Sequence, residues 1–127
     1  MYGTDTLATA QVDVRDALSG RRPMTFYTDE FPSPAHANDV AAAIGVLAGL
    51  RDVTGPIHIA GPEVLSRADY AAAIARWLGE DATRLRIGPG PRHQTISGAE
   101  RPGRVVLDTS LAASLGMRCR PIAEALR

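Results

Sequence analysis

His58-Ile59-Ala60-Gly61-Pro62-Glu63-Val64-Leu65-Ser66-Arg67 passes from a short apolar, β-prone run, through a glycine–proline stop, to the start of a helix. Ser66-Arg67-Ala68-Asp69 has the Ser-x-x-acid order of a capping box, with Asp a shorter partner than the usual Glu. Behind it Tyr70, Ile74, Trp77 and Leu78 fall on one helical face, and Gly79 closes the helix. A strand that runs straight into an amphipathic helix is a piece of an α/β fold.

Upstream, Asn38 and Asp39 are expected to cap a helix that ends near Leu50 and carries Val40, Ile44, Leu47 and Ala48 as its apolar stripe. Phe31-Pro32-Ser33-Pro34 before it must be extended, because each proline pushes its predecessor out of helical geometry. Met24 to Tyr27 reads as a strand. The first helix is expected from caps at Thr4, Asp5 or Thr6, with Leu7, Ala10, Val14, Ala17 and Leu18 on one face and Gly20 as terminator. Downstream, Leu85-Arg86-Ile87 alternates, Gly88 to Gly103 is a long glycine- and proline-rich loop, and Val105 to Leu107 is a strand or extended piece. Asp108 or Ser110 caps a short helix with Leu111, Ala112 and Leu115, and Pro121 opens a last turn that faces Ile122 and Leu126 inward. The expected fold is α/β, a mixed α+β arrangement of four to five helices with three to four short strands.

The 127 residues hold 14 basic and 14 acidic side chains, so no global field draws nucleic acid or an anionic membrane. No apolar run approaches the roughly 20 residues of a membrane span, and the lone Cys119 allows no intrachain disulfide, which makes the cytoplasm the expected compartment. All 14 basic residues are arginine. Without lysine the chain has no Walker lysine, no Schiff base and no Tyr-x-x-x-Lys proton donor. Tyr2, Tyr27 and Tyr70 are followed four residues on by Thr6, Phe31 and Ile74. His36, His58 and His93 show no helical ligand spacing, and neither a nucleophile elbow nor a phosphate-binding Gly-rich strand–helix turn occurs.

Three blocks in order, Pro34 to Ala41, His58 to Arg67 and Arg101-Pro102-Gly103-Arg104-Val105-Val106-Leu107-Asp108, resemble the C-terminal, substrate-facing portion of the extended short-chain dehydrogenase/reductases. The likeness is nearest to the dTDP-4-dehydrorhamnose reductases and their NAD-dependent epimerase/dehydratase relatives. Met1-Tyr2-Gly3 looks like the Tyr-Gly that closes a central strand there. The resemblance implies that residues 1–127 form a single substrate-binding domain without the complete Rossmann unit, the N-terminal dinucleotide-binding domain being absent.

A guanidinium makes bidentate, charge-assisted bonds to phosphate oxygens. By the resemblance Arg101 is the pyrophosphate contact of a sugar nucleotide and Arg104 its helper; His36, where relatives carry an aromatic residue, reads either as lining the sugar pocket or as a plain loop residue, and Tyr2 is a further substrate-binding candidate. Pro32 stands where many epimerases have arginine, which favours the reductase branch. The expectation is therefore the sugar-nucleotide-binding portion of an NAD(P)-dependent oxidoreductase, binding no cofactor by itself and inactive alone. Its expected partners are a nucleotide-sugar and either further copies of the chain or a missing N-terminal half. A non-catalytic regulatory module and an epimerase or dehydratase fragment are the alternatives.

Overall fold

The structure is a computed structural model, and it describes residues 1–4, 6–91 and 103–127. Helix α1 spans Thr9–Leu18, strand β1 Phe26–Tyr27, helix α2 Ala37–Ala48 and helix α3 Arg67–Trp77. A 3₁₀ turn at Ala82–Arg84 leads to strand β2, Ile87–Gly88, and short helices α4, Ser110–Ser114, and α5, Ile122–Ala125, complete the order. The mixed α/β class stands, with five α-helices and two strands among the described residues.

Strands β1 and β2 pair in parallel, Phe26 opposite Ile87 and Tyr27 opposite Gly88. Two isolated parallel bridges, Tyr2 to His36 and Phe31 to Arg104, extend this extended-chain layer. The core lies where α1 and α3 pack together over β1, with Val14, Leu18, Phe26, Tyr70, Ile74, Leu85, Ile122 and Leu126 buried. The stripes expected for the first and third helices are therefore the ones that are buried. A second, smaller cluster of Ala43, Ala112 and Met117 joins α2 to α4.

The α3 capping box forms as its sequence dictates: Ser66 Oγ accepts the Asp69 N–H at 3.1 Å and Asp69 Oδ2 accepts the Ser66 N–H at 3.3 Å. Three local expectations differ. Helix α1 starts later than its threonines suggest, with Ala8 at the cap position and Gln11 Oε1 accepting the Ala8 N–H in place of a hydroxyl. Helix α2 is capped by His36, whose Nδ1 accepts the Asn38 N–H at 3.2 Å, because Asp39 turns away to Arg120. Its buried residue is Ala43, while Ile44 is 59% exposed; a segment apolar on more than one face gives periodicity little to select. The expected strand at Ile57 to Ala60 is extended chain with no strand partner among the described residues. Val105 to Leu107 is likewise extended and docks along Phe31 to Ser33.

Candidate functional site

The proline-punctuated stretch from Thr28 to Ala35 closes no helical hydrogen bonds, so its polar groups are available to neighbours, and segments at residues 2, 61, 67, 88–90 and 103–107 use them. Gly90 N–H donates to Asp29 Oδ1 at 2.6 Å. Arg67 N–H donates to the Glu30 carbonyl at 2.8 Å, Phe31 N–H to the Gly103 carbonyl at 2.7 Å, and Val105 N–H to the Phe31 carbonyl at 2.9 Å. Ser33 Oγ donates to the Val105 carbonyl and accepts the Leu107 N–H, which fixes residues 103–107 beside the stretch. Gly61 N–H reaches the Pro34 carbonyl at 2.8 Å, and Tyr2 brackets the far end through Ala35 and Ala37.

Two open hollows meet this stretch at Pro32 and together form a groove. A hollow of about 970 Å³ lies between α1, β1 and α3, and a second of about 390 Å³ lies between Glu30–Ser33 and Gly103–Leu107; both are lined by Pro32 and Arg67. The lining mixes aromatic and apolar surface, including Tyr27, Phe26 and Tyr70, with Arg67 and Arg86. Such a mixture suits a ligand with a flat apolar part and an anionic part. Arg67 Nε is held by Glu30 Oε2 at 2.6 Å, and Asp13 Oδ1 is held by Arg22 at 3.0 Å. Arg104 places its guanidinium 5.4 Å from the Phe31 ring centroid, over the second hollow's aromatic wall.

Behind the stretch is a buried polar cluster. Tyr2 and His36, each 2% exposed, meet edge to face with ring centroids 5.3 Å apart, and Tyr70 meets Tyr2 at 5.8 Å. Since His36 Nδ1 accepts the Asn38 N–H, the ring proton sits on Nε2, a buried donor with no partner among the described residues. Burial, reinforced by the carboxylates of Asp39 and Glu63, pushes the Tyr2 phenol up to about 12. Asp39 accepts the Arg120 backbone N–H at 2.9 Å and its side chain at 2.7 Å. Burial alone would raise the Asp39 carboxyl, but the Arg120 hydrogen bonds and charge outweigh it and hold it below the usual range. Glu63 Oε2 accepts the Ile122 N–H at 2.6 Å, so two carboxylates tie the C-terminal segment to α2 and to the turn before α3.

Of the residues singled out in the sequence, Arg101 lies outside the described residues. Arg104 packs over Phe31 beside the second hollow and Tyr2 and His36 lie in the core, and none of the three lines either hollow. Sequence reading passed over Arg67, Tyr27 and Arg86 on the groove, and Arg120 behind it. Their only local signal is an arginine or tyrosine beside a short extended segment, which many surface positions share.

A dinucleotide pyrophosphate needs a helix N-terminus with free N–H groups after a glycine-rich turn; His36 occupies that of α2, and Ser66 with Asp69 that of α3, so neither of these two offers one. No helix among the described residues is long and apolar enough to cross a membrane, and no group of three or more metal-ligating side chains occurs among them.

The family model described as RmlD substrate binding domain matches residues 2–127. No curated protein sequence matches the chain. Among solved structures, the chain is similar in fold to dTDP-4-dehydrorhamnose reductase from Bacillus anthracis str. Ames, crystallised in complex with NADP, with a TM-score of 0.77 and 16% sequence identity. That match covers 98% of this chain and 42% of the reductase chain, so the chain spans about two-fifths of that protein's length.

Proposed function

The chain belongs to the RmlD substrate binding domain family, and on that premise we propose that its 127 residues act as one nucleotide-sugar-binding unit of an NAD(P)-dependent nucleotide-sugar reductase. The observation that carries the reading is the pair of hollows that share Pro32 and Arg67, where aromatic surface and arginines stand together. Arg101 is the pyrophosphate contact in this reading, and Arg104, stacked on Phe31, is its helper. Tyr2 and His36 form the wall that backs the sugar pocket, held in place by their mutual packing and by Gln11, which binds Gly3 through both ends of its amide.

Hydride delivery and proton transfer belong to polypeptide beyond these residues, because the chain has no lysine to pair with a tyrosine and neither α2 nor α3 offers a free N-terminus to a dinucleotide. Alone the chain turns over nothing. The compartment is the cytoplasm, in keeping with the single Cys119, and Ile57 to Ala60, which has no strand partner among the described residues, is met by a second copy or by the remainder of a reductase.

A ligand that binds only the folded state raises its melting temperature. The melting temperature of the purified chain is expected to rise with dTDP-, UDP- or GDP-sugars, and the rise is expected to shrink in Arg101→Ala. No rise with any of the three, or the same rise in the variant, contradicts the reading.

A further inference from the structure

Arg86 is absent from the three blocks that carry the family resemblance, yet its position is closely fixed. Leu85 before it is buried in the core, and the Arg86 carbonyl accepts the Phe26 N–H at 2.9 Å, so the residue is clamped to β1 at the entrance of β2. The register sets Phe26 opposite Ile87, and side chains alternate along extended chain, so Arg86 falls on the same face of the ribbon as Thr25 and Tyr27. All three line the 970 Å³ hollow. Glycines at 88 and 90 keep the edge of the ribbon beside Tyr27 bare of side chains.

The charges around the hollow single out one cation. Asp13 is paired with Arg22, and Arg67 with Glu30. Asp29, just beyond Tyr27, has one carboxylate oxygen taken by the Gly90 N–H. Arg86 forms no ion pair among the described residues. A guanidinium on a concave, partly apolar wall, with no carboxylate paired to it among the described residues, is suited to a doubly charged phosphoryl ligand, which its fork of donors can meet with two parallel bonds.

We propose that Arg86 anchors a phosphoryl group of the nucleotide-sugar within the α1–β1–α3 groove, with the ligand's flat apolar part against Tyr27. This rests on the nucleotide-sugar reading above and adds to it a residue and an orientation. The test is calorimetric. Affinities are measured for whichever of dTDP-glucose, UDP-glucose and GDP-mannose binds the full chain most tightly, for its parent nucleoside, and for inorganic pyrophosphate. Arg86→Gln is expected to weaken the nucleotide-sugar and pyrophosphate about tenfold or more, to leave the nucleoside and the melting temperature unchanged, and to be partly rescued by Arg86→Lys. Arg76→Gln, the same charge loss on the exposed face of α3, is expected to change none of these. Wild-type nucleotide-sugar affinity in Arg86→Gln overturns the role of Arg86 and leaves the nucleotide-sugar reading standing. Equal weakening of nucleoside and nucleotide-sugar also overturns it, in favour of a structural role. Absence of binding by the unmutated chain overturns both.

Discussion

A methyl group at Gly61 would sit 2.7 Å from the Pro34 carbonyl oxygen, a backbone atom that cannot swing aside. Gly61→Ala is therefore expected to cost about 1–3 kcal/mol, in the range of other overpacked sites, and to loosen the Thr28–Ala37 stretch; chemical denaturation measures the first effect. Asp39 is nine-tenths buried, but its partner Arg120 is 40% exposed. That exposure screens the pair, so Asp39→Ala is expected to cost only about 1 kcal/mol. The folded-state carboxyl titrates below its unfolded value. Its contribution is thus present above about pH 4 and is lost as pH falls through the folded value, and the Asp39→Ala variant is expected to show a shallower acid limb in a plot of stability against pH. Tyr2 has the opposite sign: its raised pKa keeps full stability below about pH 10, and that stability drains away as pH rises toward about 12. Absorbance titration of Tyr2→Phe is expected to lose the phenolate step at about 12, while Tyr70, which burial also raises, keeps a late step of its own. Asp39 also shows where residue-level reading stops. An acid in a first helical turn reads as a cap, and only the return of the chain at Arg120, 81 residues later, gives it another partner.

Elements with complete local signals were legible. Helix α3 carries its cap, its stripe and its terminator within one window, and all three are realised; Ser66→Ala is expected to lose about 1 kcal/mol of stability because the Ser66 hydroxyl's bonds to the Asp69 N–H and to Asp69 Oδ2 go with it, while the backbone half of the box remains. Ile74 at the centre of the buried face is expected to cost about 2–5 kcal/mol when cut to alanine, measured by the same denaturation series. Elements whose form depends on distant chain were not legible. Ile57 to Ala60 has strand composition, yet a strand exists only where a ladder partner lies beside it. Helix α2 is apolar over most of its length, with Val40, Ile44, Val46 and Leu47 spread over more than one face, so which side is buried follows from α4 and Met117, far along the chain. For the site, the extended Phe31–Pro34 run and the arginine near Gly103 could be read from proline and guanidinium chemistry. The convergence of Arg67 and Arg86 on the same groove could not, because it is made by three segments that meet only in the fold.

At the scale of the molecule, Ile44 and Val46 of α2 and Leu50 just beyond it are exposed, and Ile57–Ala60 has no strand partner among the described residues. The purified chain is expected to run as a dimer or larger assembly in multi-angle light scattering, and Ile44→Glu is expected to shift it toward monomer; a compact monomer across micromolar concentrations contradicts this. A division of labour carries the functional account, in which a groove for a phosphorylated sugar is built while the means of moving hydride to it is not. Equilibrium dialysis of the isolated chain against NADPH and, separately, against a nucleotide-sugar tests that division most directly. The account predicts that the nucleotide-sugar is retained and NADPH passes freely, whereas retention of NADPH with no retention of any nucleotide-sugar would contradict it.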